Sequence, residues 1–327
     1  MENLFPIIQN GVHNDPKKER YQRKPFIEAN SLEVSLSHLQ NGCIIPVFSK
    51  DNERTISHQE FIDITMIACS EALGGLMVEH PEIRVSHQIK GRTPNAIHKP
   101  VPELLESEKT IYYERMAFIA RVPSIIETIG GNPITLTIGG VRSYNTENLY
   151  QKKSPEKFKV FIGFQNLVCC NLCVSSDGFI EEMKASNMEE LFKKIYSFVE
   201  SFQAEKQLVM MRQFSQYCLT DHQFAQFIGR CKLYQALPKM QKKLIPELSF
   251  NDSQFNTVVN DYYHDESFCK NELGDINLWK LYNLFTQANK SSYIDTFLQR
   301  NLNAIEITQG LVEALSSPVS KYDWFLS

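Results

Sequence analysis

The chain has 327 residues, 43% of them hydrophobic, and a formal net charge of −4 at pH 7. That length and apolar content can bury a substantial core, with about two domains as the prior expectation. The mild acidity excludes whole-surface attraction to nucleic acid or anionic lipid, so any such contact must come from a local basic patch. No apolar run approaches the roughly 18 residues that span a bilayer, and the opening residues lack the apolar core of a secretory signal. A soluble cytoplasmic protein without a membrane partner is expected. Eight cysteines are too sparse for a disulfide framework and are expected as reduced, core-filling thiols.

Residues 1–25 are polar and basic without periodicity and read as a flexible arm. Leu32, Leu36 and Leu39 suggest a short helix, and Cys43 to Ser49 an extended segment interrupted by Pro46. Ser57 with Glu60 three residues later forms a capping box for a helix whose Phe61, Ile64, Ile67 and Ala68 make an apolar stripe, ended by Gly74 and Gly75. From Ile83 to Ser175 the pattern turns to period two. Strands are predicted at Ile111 to Val122, Ile134 to Ile138, Phe158 to Phe164 and Leu167 to Val174, with a hairpin at Gly130-Gly131-Asn132. Asn187 with Glu190 caps a helix that continues toward Phe214. Further helices are predicted from Thr220 to a break at Leu237-Pro238, then over Asp252 to Tyr263, Asn277 to Asn289, and Tyr293 to Leu315. The class is α+β: an antiparallel sheet packed with helices over 26–180, followed by an all-helical part over 181–327.

The tract His80 to Pro100 places Arg84, Lys90, Arg92, Lys99 and three histidines beside a half-buried strand pattern. Period two puts Ile83, Val85, His87 and Ile89 on the apolar side and turns Arg84, Ser86, Gln88 and Lys90 toward solvent or a ligand. Gly139-Gly140 lacks the Lys-Ser/Thr of a phosphate loop, and a tight turn or bulge suffices for it. It precedes Arg142, Tyr144, Asn145, Asn148, Tyr150, Lys152 and Lys153, an interleaving of cations and rings of the kind used on single-strand binding surfaces. Cys170 and Cys173 have the spacing of half a zinc site, but residues three apart on a strand face opposite ways and no second pair exists. Glu114 could hold Mg²⁺ only with convergent acids, and Asp261, Asp265 and Glu266 show no sign of convergence.

Several segments in order, PEIRVSHQIKGRTP from Pro81, YYERMAF from Tyr112, LTIGGVRSYN from Leu136, FKVFIGFQNLVCCN from Phe158 and NLWKLYNLFTQANKSSYI from Asn277, resemble domain of unknown function 3871. The likeness extends from about Phe26 to the closing Trp324-Phe325-Leu326-Ser327. More distantly, Leu167, Val168, Cys169 and Asn171 with Trp279, Tyr282, Asn283 and Thr286 resemble elements of the phage and plasmid family called domain of unknown function 932, although Leu172 stands where that family usually has glycine. The resemblance implies a setting in Bacteroidetes mobile elements, where DNA handling is the commonest task; it implies no catalytic residues.

Asn283 and Thr286 lie on one helical face with Lys290 and could reach Asn171 on the sheet, as a polar clasp or a ligand pocket. The leading expectation is a non-enzymatic accessory protein binding DNA single strands or ends through Arg84, Lys90, Arg92, Arg142, Tyr144 and Lys152, without cofactor or metal. A protein-interaction module acting on a host or element partner is the alternative, and a metal-dependent nuclease using Glu114 the third.

Overall fold

The computed structural model describes residues 25–43, 55–96, 98–144, 155–317 and 319–327. The expected basic arm, the extended segment after Cys43, and Lys152 lie outside the described residues.

The strands are β1 (Leu32–Glu33), β2 (Glu82–Val85), β3 (Gln88–Arg92), β4 (Lys109–Tyr113), β5 (Arg115–Ile129), β6 (Asn132–Ser143), β7 (Glu156–Asn166), β8 (Leu172–Cys173), β9 (Phe179–Ala185), β10 (Cys218–Leu219) and β11 (Ile276–Asn277). An antiparallel sheet runs in the order β1-β2-β5-β6-β7-β8, and β9 pairs with β7 alongside β8. The predicted hairpin joins β5 to β6: Ile129 pairs with Asn132, and Gly130 and Gly131 take φ of 54° and 82°. Two successive positive φ values match a tight turn to strand twist, which is why two glycines stand there.

The sheet is covered on both faces. Met116, Phe118, Ala120 and Val122 of β5, with Ile138, Phe158, Val160 and Ile162, pack under α2 (His58–Ala72) in a large apolar core. Ala117, Ile119, Val141 and Phe161 point the other way, into a second cluster closed by Phe26, Ile27 and, from the start of the last long helix, Ile294, Phe297 and Leu298. Two-sided burial explains the near-continuous apolar run from Met116 to Ala120.

Gly139 and Gly140 form no turn or bulge. They pair in mid-strand with Ile119 and Phe118. A Cβ on Gly140 would lie 2.5 Å from Phe61 Cζ, and one on Gly139 2.5 Å from Phe161 Cζ. The pair thus lets a ring press on each face of the sheet.

The helices follow the caps written in the sequence. After α1 (Leu36–Gly42), Ser57 and Glu60 close the predicted capping box on α2; Asn187 caps α3 (Met188–Ser201), followed by α4 (Ala204–Phe214); Thr220 caps α5 (Asp221–Ala236). The short α6 (Lys239–Lys242) follows Pro238, Asn251 caps α7 (Asp252–His264), and Asn277 caps α8 (Leu278–Asn289). The last helix, α9 (Ile294–Ser316), begins at Tyr293 without a side-chain cap. Helices α4, α5, α7 and α8 share the large core with the sheet, so apolar packing runs without interruption past residue 180. No helix among the described residues is long and apolar enough to cross a membrane.

Four expectations are corrected. Leu32 belongs to the edge strand β1 rather than to α1. The strand expected over Ile111 to Val122 is two, split at Glu114. Leu167 to Cys170 form a turn, with Cys170 at φ 58°, and only Leu172 and Cys173 are strand. The sheet also continues past Ser175 through β9.

Candidate functional site

The expected cationic face is not assembled as the alternation predicts. Arg84 is 9% exposed: its Nε and Nη2 donate to Ser31 Oγ (3.1 Å) and the Ser31 carbonyl (2.9 Å), and Glu33 lies 3.8 Å from Nη1. Its side of β2 faces the second core cluster rather than water, because period two says which residues share a face and not whether that face is open. Arg142 is 1% exposed and lies on the α2 face, bonded to the Glu156 carboxylate and the Ile56 carbonyl and stacked over Tyr144 (4.7 Å) and Phe158 (4.6 Å). Tyr144 is buried as well, its ring stacked 4.2 Å from that of His58. These three are corrected from surface contacts to core members.

Lys90 is exposed on β3, and Arg92 is half-buried on the same ribbon, bonded to the Lys99 carbonyl. Carboxylates crowd this ribbon, with Glu108 on Lys99 and Glu106 on Lys109. His87, expected on the apolar side, is exposed at the turn between β2 and β3.

Asn171, Asn283 and Thr286 are buried and form the clasp rather than an open pocket. Asn171 Nδ2 donates to the Asn283 carbonyl (2.9 Å), Asn166 Nδ2 to Asn283 Oδ1 (3.1 Å), and Asn283 Nδ2 to the Trp279 carbonyl (2.9 Å). Thr286 Oγ1 turns back to the Tyr282 carbonyl (3.1 Å), while the buried Lys290 reaches the Cys169 carbonyl. Burial pushes the Cys169 thiol up to about 12 and Cys173 higher still. No group of three His, Cys, Asp or Glu side chains disposed to hold a metal exists among the described residues.

What the fold does bring together lies at the open end of the second sheet face, beyond the start of α9. Arg115 of β5 pairs in register with Ser143 of β6, and Val141 pairs with Lys159 of β7. Lys157 is two residues from Lys159 on the same face, opposite Lys184 of β9. Asp295, in the first turn of α9, joins them: its Oδ2 is 2.9 Å from Arg115 Nε, its Oδ1 accepts from Ser143 Oγ at 2.6 Å, and its carbonyl accepts from Lys159 Nζ at 3.3 Å. Glu182 pairs with Lys157 and Lys184, contacts that hold its carboxyl below the usual range. Four cations therefore face two carboxylates.

Two clefts open beside this cluster, one against Arg115 and the other against Asp295. One of about 500 Å³ is lined by Asn30, Ser31, Ser86, His87, Arg115 and Tyr293. The other, of about 430 Å³, is lined by Ser143, Lys157, Lys159, Glu182 and Asp295. Sequence reasoning missed this site. The alternation of Lys157 and Lys159 with Phe158 and Val160 was available as a signal, but Asp295 comes from far along the chain and carries none.

The family model for DUF3871, described as "Domain of unknown function, B. Theta Gene description", matches residues 8–326. The chain belongs to the DUF3871 family. No curated protein and no solved structure matches this DUF3871 member. Its site therefore has to be read from its own geometry.

Proposed function

We propose that this DUF3871 chain is a non-enzymatic accessory protein of a mobile genetic element that binds a single DNA strand, and that it does so at the open end of the sheet. The observation that carries the reading is the row of Arg115 on β5 with Lys159 and Lys157 on β7, across β6 in the sheet, the first lining one cleft and the two lysines the other, with Tyr293 55% exposed at the rim. Cations meet phosphates and an exposed ring offers a stacking platform, the combination that single-strand binders use. The mobile-element setting rests on the family resemblance alone.

Anisotropy of a labelled single-stranded oligonucleotide tests this. Affinity should fall with salt, and each lost phosphate contact should reduce the log–log slope by about 0.7. Lys157→Ala and Lys159→Ala should each weaken binding, while Lys90→Ala on the β3–β4 ribbon, which lines neither cleft, should matter less. Absence of any anisotropy change at low salt sinks the reading.

A second reading, a protein-interaction module, is favoured by one patch. Leu233, Met240 and Leu244 around α6 are 58%, 73% and 84% exposed, beside Lys239, Lys242 and Lys243. Clustered exposed apolar groups rimmed by charge suit a protein partner. A stoichiometric partner retained after nuclease treatment and lost on Leu244→Asp would favour this reading over the first.

A further inference from the structure

The carboxylate of Asp295 uses both oxygens on the groups that line the open end of the sheet: one on the Arg115 guanidinium, the other on the Ser143 hydroxyl. Its backbone carbonyl takes Lys159 Nζ, and it stands in the first turn of a 23-residue helix. A guanidinium, a hydroxyl, a neighbouring ammonium and a helix N-terminus form the donor set that recognises a phosphate group. Asp295 is partly exposed, not locked in the core; the cleft of about 430 Å³ is lined by Asp295 and Ser143, and the one of about 500 Å³ by its partner Arg115. An incoming anion has a route to its partners, and the side chain has room to leave them.

We infer that Arg115, Ser143, Lys159 and the first turn of α9 form a phosphate-binding site, and that the Asp295 carboxylate occupies it as an internal stand-in which a phosphate displaces. This deepens the proposed strand-binding reading, since the displacing group there is a backbone or terminal phosphate of the strand. Coulomb repulsion makes the carboxylate and the ligand phosphate mutually exclusive at Arg115. The bland account, in which Asp295 only stabilises its helix, places an anion near the N-terminus but requires neither Arg115 nor Ser143.

Inorganic phosphate and a 5′-phosphorylated oligothymidine are titrated separately against wild type, Asp295→Asn and Arg115→Leu, with thermal unfolding recorded for each. Asp295→Asn should bind inorganic phosphate about fivefold more tightly than wild type, and Arg115→Leu should lose that binding. Equal phosphate affinity in wild type and Asp295→Asn overturns the inference; if wild type still binds the oligonucleotide, the strand-binding reading survives. Tighter phosphate binding by Asp295→Asn without oligonucleotide binding by wild type has the opposite meaning: the anion site stands and the strand reading fails. Should Asp295→Asn not fold, the Arg115 Nε–Hε resonance of wild type gives the answer. Movement of that resonance on phosphate addition supports the site, and no movement up to saturating phosphate overturns it.

Discussion

Asn171 donates from Nδ2 to the backbone carbonyl of Asn283 at 2.9 Å, joining the turn after β7 to the middle of α8 with both side chains buried. Asn166 and the turn of helix at Trp279 complete the same network. A buried amide network of this kind stabilises only while each member is satisfied, because low local polarity strengthens every bond and penalises every orphan.

Asn283→Leu should therefore destabilise the fold by about 2–3 kcal/mol, since it leaves the Asn166 amide without its acceptor inside the core. Urea denaturation measures this. Phosphate and oligonucleotide affinities of the folded fraction should not change, because the clasp residues line neither cleft. A loss of ligand affinity at unchanged stability would mean that the clasp is a ligand pocket after all.

Gly140→Ala should cost about 2–3 kcal/mol, the range of overpacking in a tight core. The new methyl meets the Phe61 ring at 2.5 Å and the Lys159 carbonyl oxygen at 2.8 Å, and the latter is backbone that cannot rotate away. Gly139→Ala meets the Phe118 carbonyl and should cost at least as much. Thermal unfolding of the two variants decides, and tolerance of both would contradict the ring-on-glycine packing.

Acid should expose the state of His58. Its Nε2 donates to the Tyr113 carbonyl at 2.8 Å, and burial, with the Arg142 charge beside it, lowers its pKa from the ordinary 6.5 to about 3. Between those values the unfolded chain holds a proton that the folded chain refuses, so stability falls as pH drops from about 6.5 toward 3. The slope from this one group is at most about 1.4 kcal/mol per pH unit. Glu156 and Glu82 act oppositely: burial raises both carboxyls, and that contribution is lost as pH rises above their ordinary value. Comparing wild type with His58→Asn isolates the histidine. The difference in stability between the two should itself depend on pH in this window, and a constant difference would show that His58 titrates normally.

Thiol labelling should sort the cysteines by burial. Cys218 is exposed and should be alkylated in the native protein, slowly near neutrality because burial by its neighbours and the Asp275 charge raise its pKa. Cys69, Cys173 and Cys231 are buried with raised pKa values and should resist until denaturant is added. Mass spectrometry of native and unfolded samples reads the pattern directly.

Helices and the main hairpin were legible because their signals are local. Ser57 with Glu60, Asn187, Thr220, Asn251 and Asn277 each satisfy the amide three residues on, and Gly130-Gly131 takes the φ values that side chains resist. The α+β class follows from the order of those periodic segments. The break at Glu114 was not legible, since YYERMAF alternates straight through it.

Which charges meet water was decided by tertiary structure alone. Arg84, Arg142 and Lys159 all sit in period-two strands beside apolar neighbours, and nothing in the alternation separates them. Residues 26–31 cover the first, α2 covers the second, and the first turn of α9 touches the third only through the Asp295 carbonyl, leaving it half-buried, so identical local patterns end as an anchored core cation, a buried ion pair and a cleft wall. Alternation is fixed by backbone geometry within a strand, whereas exposure is fixed by what packs on that strand from far away in the chain. The meeting of Arg115 with Asp295, 180 residues apart in the sequence, has no trace in either neighbourhood and exists only because α9 is laid across the sheet.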